Sequence, residues 1–395
     1  MFKENYFTKK YNIFFYIIIL SIGLYLSSLK GYGSDRDSPA LISVFINFLE
    51  QGIYSPSRGY GHPIAEFIIG FLAYNFGATV STYFSFIAFF LSLIFFYKSF
   101  EDFFNEERLN IFVLLCISNS FLLFDNINSS DFPWSLFFFS LGFFLMRKEK
   151  YLYCCIFFAL CVGCRYNFII FVYAALFSHY FINSSKLSFE RFLFLSLLTL
   201  VIIFLIFFPI NFLYSENTSL NFSSRVATPG DGYNLGSLVP RFIYKNFKLF
   251  GVFSGFFILY FFVNEFFIKR KIKEKIFKYS ILIIFLNFLI FLIFPAKIAY
   301  LHSGIILIYI LITFVLKKNF LYLIIVLNFL QWVISYDIIR ITYKYDDPCM
   351  AVHAISATID PHFKLGEYNQ MISKIDIKNC ESENYSEGLP FKYKK

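Results

Sequence analysis

Two aspartates flank an arginine directly after the first apolar segment, in the run Gly31-Tyr-Gly-Ser-Asp-Arg-Asp-Ser-Pro. A carboxylate can act as a general base towards a hydroxyl group, or can stabilise positive charge that develops at a reacting carbon. Arg36 would favour the ionised form of the carboxyl group beside it. We therefore take Asp37 as the first candidate for a catalytic carboxylate and Asp35 as the second.

The same residues also fit the start of a helix. Asp37 or Ser38 would cap a helix that continues to Glu50, with Pro39 in its first turn. A cap accounts for one acidic residue but not for two. A second helix start is predicted at Pro63, and Glu66 then lies in the first turn, where the helix dipole favours an acidic side chain.

Basic side chains that could bind an anionic group recur outside this cluster. Arg165 interrupts apolar sequence on both sides, and such a charge usually faces a cavity, although snorkelling towards lipid headgroups is the alternative. Arg241, Lys245 and Lys248 recur at helical spacing, which fits a site or a surface lying on anionic lipid. The candidates for substrate binding are Arg58, His62, Glu66, Arg165, Arg225, Arg241, Lys297 and His302.

The elements that must position these residues are predicted to be membrane helices. Of the 395 residues, 58% are hydrophobic and 15% are charged, whereas soluble domains carry about 25% charged residues. Uncharged runs such as 13–26 and 192–208 are continuous and lack the alternation of a barrel strand. The composition excludes a soluble globular domain and predicts an all-α polytopic membrane protein.

The apolar runs predict about eleven transmembrane helices. The fifth and sixth runs are short and meet at Arg165, so ten spans or a re-entrant pair is the alternative. The first run is an uncleaved span and not a signal peptide, since no cleavage site follows it. The runs are 11–29, 79–97, 109–124, 132–146, 151–164, 166–182, 191–214, 249–268, 277–295, 299–316 and 319–336.

The distribution of Lys and Arg predicts the orientation in the membrane. With a cytosolic N-terminus, the short inner connections are densely basic, and the longer outer loops are much less so. Residues 1–336 form a transmembrane domain with outer loops at 30–78 and 215–248, and 337–395 form a small extracytoplasmic tail. Any chemistry is expected on this outer, periplasmic or extracytoplasmic face. The Phe, Ile, Lys and Asn richness is typical of an A+T-rich genome, and we expect a bacterial inner (cytoplasmic) membrane.

Other classes of function are not favoured. The net charge of +9 reflects the basic connections, and no nucleic-acid partner is expected. The sequence contains neither GxxxxGK[ST] nor GxGxxG, so no nucleotide site is predicted. Cys349 and Cys380 could form a disulfide if the tail lies outside the cytosol, or could remain free. No ligand set for a metal is evident, and use of a divalent cation is left open.

The first outer loop resembles that of the GT-C superfamily of membrane glycosyltransferases, which includes the protein O-mannosyltransferases and the aminoarabinose transferases. In such proteins an Asp lies about fifteen residues before a Gly that closes the first interfacial helix. Asp37 and Gly52 have that spacing here, and the segment 57–63 resembles the one that follows in the family. Ser38 stands where many members have Glu, which is a departure from a paired acid. The segments 163–167 and 295–302 also resemble later parts of these proteins.

The resemblance implies a GT-C-like fold with interfacial helices between the first two spans. It implies an inverting glycosyltransferase that takes a sugar from a polyprenyl-phosphate-linked donor and passes it to a glycan, lipid or protein acceptor. Asp37 would be the general base or transition-state stabiliser, and the basic candidates would bind the lipid phosphate. The alternatives are a polymerase or ligase of the O-antigen type, in which Arg225 would matter and Asp37 would not, and a flippase or transporter of lipid-linked saccharides. A non-enzymatic membrane scaffold is a further alternative.

Overall fold

A computed structural model of the protein describes residues 2–32, 37–52, 54–57, 61–104, 106–183, 187–213, 242–243, 246, 249–264, 275–293, 298–335 and 362–363. The regular secondary structure of these residues is helical, except for one antiparallel pair of two-residue strands, β1 (Ile334–Ser335) and β2 (His362–Phe363). This agrees with the all-α fold that the composition predicts.

The helices follow the predicted apolar runs closely. A short 3₁₀ turn at Glu101–Phe103 follows α3, and another at Ile298–Leu301 precedes α12. The helices are α1 (Phe2–Lys30), α2 (Asp37–Gln51), α3 (Pro63–Lys98), α4 (Glu106–Ser118), α5 (Ser120–Asn126), α6 (Asp131–Arg147), α7 (Tyr151–Cys164), α8 (Phe168–Ile182), α9 (Phe189–Leu213), α10 (Val252–Val263), α11 (Lys275–Ile293), α12 (His302–Val315) and α13 (Lys318–Val333).

The helices carry apolar side chains on their outward-facing sides as well as on the sides that face the core. Phe204, Tyr260 and Val326 are each more than half exposed, which is typical of helices that face lipid. Three of the described helices are long and apolar enough to cross a bilayer, or four if the bent pair α4–α5 is one span. The chain is an integral membrane protein, while the count of eleven spans stays a prediction.

Two predicted helices in the first outer loop take a specific form. The helix from Asp37 ends at Gln51, and Gly52 follows with a φ of +70°, as a closing glycine requires. The second helix begins at Pro63 as expected, but it continues into the next span as α3. A break at Gly77, with a φ of 80° and a ψ of −176°, divides α3 into a first half and a spanning half.

The predicted span 109–124 is broken in the structure. Helices α4 and α5 meet at an angle of 79°. The Asn119 side chain caps α5 by accepting a hydrogen bond from the Leu122 N–H at 2.9 Å, and its amide donates to the Tyr309 hydroxyl at 2.9 Å. A side chain that satisfies the freed backbone groups lets a helix break inside an apolar bundle.

The two ends of the bundle differ in their polar contacts. At the C-terminal end of α6, Arg147 lies 3.0 Å from Asp102, and Lys148 contacts Glu101. Both pairs join connections that the sequence predicts to lie inside. Helix α6 starts at the opposite end, where a second group of charged side chains is buried.

Candidate functional site

A buried ion pair lies at the N-terminal end of α6. Asp131 is the first residue of α6, and Arg165 follows the C-terminus of α7 with an extended backbone. The Arg165 Nη1 donates to Asp131 Oδ2, and the two side chains are 3% and 0% exposed. Arg165 therefore does not snorkel to a surface but is held inside the bundle, where a charge needs a partner.

Aromatic rings hold the guanidinium from other sides. The Arg165 Cζ lies 3.8 Å from the centroid of the Phe132 ring and 4.6 Å from that of Tyr300. Contacts of this kind stabilise a cation through the quadrupole of the ring. The Asn287 amide fixes the Tyr300 segment by donating to the Tyr300 carbonyl oxygen at 2.8 Å. Helix α6 and the 3₁₀ turn at Ile298–Leu301, which α11 holds through Asn287, therefore define where Arg165 points.

His62 brings the first outer loop to the same place. Its Nε2 lies 3.9 Å from Asp131 Oδ2, and its ring stacks on Tyr166 with centroids 5.8 Å apart and planes 1° apart. His62 immediately precedes Pro63, the first residue of α3. The last residue before α3 thus lies beside the Asp131–Arg165 pair.

Glu66 has a structural environment next to this loop. Its carboxylate is fully buried and accepts hydrogen bonds from the Tyr54 hydroxyl, from the Ser57 backbone N–H at 3.0 Å and from the Ser57 hydroxyl at 2.5 Å. Burial, followed by the charge of Glu66, raises the pKa of the Tyr54 hydroxyl, which therefore remains a hydrogen-bond donor. These hydrogen bonds attach the loop to α3. Glu66 therefore has a structural role in addition to the favourable position in the helix dipole that the sequence indicates.

The end of α1 is tied to the α5–α6 connection. The Ser129 backbone N–H donates to the Tyr32 carbonyl oxygen at 3.0 Å, and the Thr82 hydroxyl donates to the Gly31 carbonyl oxygen at 2.5 Å. Ser129 lies two residues before Asp131. The chain therefore enters the first outer loop beside the buried ion pair.

His302 forms a second polar group near the first. Its Nε2 lies 3.5 Å from Asp125 Oδ2, and its Nδ1 lies 3.1 Å from the amide nitrogen of Asn126. Its ring also neighbours Phe132, with centroids 6.1 Å apart. The α5–α6 connection thus contributes to both polar groups.

The structure brings together three of the sequence candidates, His62, Arg165 and His302, and places Glu66 in the adjacent loop fastening. Asp37 begins α2, and its side chain lies outside the described part. The assignment of all these candidates as site residues stays a prediction. The other candidates and the tail cysteines lie outside the described residues: Asp35, Arg58, Arg225, Arg241, Lys245, Lys248, Lys297, Cys349 and Cys380.

Asp125 and Asp131 are polar residues of this group that the sequence interpretation missed. Asp131 looks like an ordinary first-turn acid before an apolar run. The available signal was the composition of the connection 125–131, which holds two aspartates, two asparagines and two serines between apolar runs. Among the described residues, no three His, Cys, Asp or Glu side chains are grouped as a metal would require.

Comparisons with known proteins show the fold. No protein-family profile and no curated protein matches the sequence. The structure is similar to the crystal structure of ArnT from Cupriavidus metallidurans in the apo state, with a TM-score of 0.58 at 12% sequence identity. The match covers 80% of this chain and 62% of that chain, so the protein spans less than two thirds of the length of ArnT. ArnT is an aminoarabinose transferase with the GT-C fold. The GT-C-like fold expected from the first outer loop is therefore confirmed.

Proposed function

We propose that this protein is an inverting glycosyltransferase that uses a polyprenyl-phosphate-linked sugar as donor, on the outer face of a bacterial inner membrane. The acceptor would be a hydroxyl group of a glycan, a lipid or a protein. The GT-C-like fold supports the class of reaction. The buried Arg165 at one end of the bundle supports an anionic donor.

The observation that carries the proposal is the anchoring of Tyr32 to Ser129. Asp35 is three positions and Asp37 five positions after Tyr32 in the chain, and an extended chain covers at most about 3.6 Å per residue. This chain length would let both predicted carboxylates reach the end of the bundle that carries Arg165. A base and an anion-binding cation in one region are what transfer from a lipid phosphate needs.

In the proposed reaction the acceptor oxygen attacks the anomeric carbon of the sugar, and the bond from that carbon to the phosphate oxygen breaks. The bonding pair leaves with the lipid phosphate, and Asp37, or Asp35 as the second candidate, takes the acceptor proton. Arg165 would stabilise the negative charge on the departing phosphate. A single displacement inverts the configuration at the anomeric carbon.

Asp131 and the aromatic rings would keep Arg165 in place before the donor arrives. The Arg165 Nη1 is committed to Asp131, whereas its Nε has no hydrogen-bond partner within the described part of the chain. A phosphate oxygen is an acceptor suited to this free N–H. The binding group is thereby oriented without a large change on binding.

The test measures transfer of labelled sugar from polyprenyl-phosphate donors in membranes that contain each variant. Asp37→Asn is expected to reduce transfer at least about 100-fold, the range of a general base. Asp102→Asn, at the opposite end of the bundle, is the control and should retain activity. If Asp37→Asn and Asp35→Asn both transfer at the normal rate, the assigned base is wrong. Loss only in Arg225→Ala would support the polymerase alternative.

A further inference from the structure

The connection between α5 and α6 holds more buried polar groups than its own hydrogen bonds satisfy. Asn126, Ser129, Ser130 and Asp131 are at most 1% exposed. Ser129 is well satisfied, because its hydroxyl bonds to those of Ser81 and Thr82. By contrast, Asn126 Oδ1 and the Ser130 hydroxyl have no hydrogen bond to a described residue, and unpaired buried polar groups in a folded protein call for a partner.

The hydrogen bonds of Asn126 determine how its amide is oriented. The amide nitrogen lies 2.6 Å from the Leu122 carbonyl oxygen, so a flipped amide would place two oxygens against each other. The second N–H of the same nitrogen faces His302 Nδ1 at 3.1 Å, which makes Nδ1 an acceptor. His302 in its neutral form therefore carries its proton on Nε2. The tautomer follows from the surrounding bonds.

Three polar atoms of this group then remain without a hydrogen bond to any described residue: Asn126 Oδ1, Ser130 Oγ and His302 Nε2. The His302 Nε2 lies 3.5 Å from Asp125 Oδ2 but forms no hydrogen bond with it. Asn126 Oδ1 only accepts, the Nε2–H of His302 donates, and the Ser130 hydroxyl does both.

This mixture of donors and acceptors restricts the chemistry of the ligand. A phosphate oxygen cannot satisfy Asn126 Oδ1, because two acceptors repel, and a prenyl chain satisfies none of the three. A hydroxyl group donates one hydrogen bond and accepts others, so a ring with several hydroxyls matches the set. Phe132 lies beside both His302 and Arg165, which brings the group next to the proposed phosphate site.

We infer that Asn126, Ser130 and His302 form the subsite that binds the hydroxyl groups of the donor sugar, with Asp125 at its edge. The inference rests on the proposed function, since it takes the ligand to be a sugar linked to a lipid phosphate. It assigns the sugar to the α5–α6 connection and leaves Arg165 to the phosphate. Discrimination between donors therefore depends on residues separate from those that bind the lipid phosphate.

The experiment measures the binding of bare undecaprenyl phosphate and of the same lipid carrying a hexose, a pentose or an N-acetylhexosamine. Purified protein in detergent is used, and the result is the ratio of the two dissociation constants for each sugar. The wild type is expected to bind one glycosylated lipid at least about tenfold more tightly than the bare lipid, from two or three net hydrogen bonds. Ser130→Ala should reduce this ratio about two- to tenfold, and His302→Phe at least as much.

The bare lipid provides the internal control. Its dissociation constant should be unchanged in Ser130→Ala and His302→Phe, and weakened in Arg165→Gln. Ser280→Ala is the matched variant, because the Ser280 hydroxyl is also buried and without a partner in the described part, yet lies in α11 near the other end. A purely structural Ser130 would give a neutral or more stable Ser130→Ala protein with the ratio intact.

The outcomes separate the inference from the function on which it rests. If the wild type shows no preference for any glycosylated lipid, or if both subsite variants keep the preference, the subsite is wrong. The proposed function survives that result when Arg165→Gln still weakens bare lipid binding. If the wild type binds neither bare nor glycosylated lipid, the proposed function fails together with the subsite.

Discussion

Replacement of Asp131 by Asn tests whether the buried ion pair organises the candidate site. The change keeps the size of the side chain and an oxygen that can accept from Arg165, but removes the negative charge. Asp131 is fully buried and Arg165 is 3% exposed, so the remaining guanidinium cannot be hydrated without opening the bundle.

The expected loss of stability is about 3 kcal/mol. Removal of one partner from a buried ion pair generally costs about 3–5 kcal/mol. The lower end applies here, because the amide oxygen still accepts a hydrogen bond and the rings of Phe132 and Tyr300 still contact the guanidinium. Asp102→Asn removes the partner of Arg147 from a position where the carboxylate is 71% exposed, and it should cost less than about 1 kcal/mol.

The assay is reversible unfolding in mixed detergent and SDS micelles, applied to Asp131→Asn, Arg165→Gln and the double variant. The double variant carries no unpaired charge, so it should be more stable than the sum of the single losses predicts, by about 2 kcal/mol. Additive losses within about 0.5 kcal/mol would refute the ion pair as the organising contact. Equal losses for Asp131→Asn and Asp102→Asn would also refute it.

Two further predictions concern the loops at either end of the bundle. A Cβ at Gly61 would lie 2.0 Å from the Tyr54 hydroxyl, so Gly61→Ala should lower stability by more than Gly52→Ala, where φ is also positive but the space is open; thermal unfolding of both checks this. The hydrogen bond from Lys148, together with its charge, lowers the pKa of Glu101. The contribution of ionised Glu101 to the stability of the folded state is fully present above the pKa that Glu101 has in the unfolded state. It is lost as the pH falls through the lower pKa that Glu101 has in the folded state. Glu101→Gln should therefore remove less than about 1 kcal/mol at pH 7 and nothing at pH 2, and a constant difference between the two proteins would contradict the assignment.

Most of the helices could be predicted from the sequence, because a bilayer imposes a strong length and composition requirement on each span. The helix starts at Asp37 and Pro63 were also predictable, since caps and N-terminal prolines act locally. The single helix from Pro63 to Lys98 was not, because Gly77 permits a break without ending the helix. The break at Asn119 depends on Tyr309, which is distant in the sequence, and no local pattern indicates it.

The candidate site was predictable only in part, for a related reason. Arg165 stood out because a charge inside apolar sequence is unusual. Its partner did not, because Asp131 fits the first turn of a helix equally well. Only the packing of α6 beside α7 brings their ends together and makes the two charges neighbours. The loop fastening through Glu66 likewise needs Tyr54, twelve residues earlier.

The Asp131–Arg165 pair also bears on how a proposed phosphate site can release its product. A lone buried arginine would be costly in the empty protein and would bind a phosphate very strongly. Asp131 neutralises Arg165 when the site is empty, so the gain on binding an anion is smaller than for an unpaired cation. Asp131 lies close enough to repel a bound phosphate while it fixes the guanidinium. If Arg165 binds the lipid phosphate, Asp131→Asn should retain bare undecaprenyl phosphate more tightly and slow turnover, and weaker retention would show that Asp131 acts through position alone.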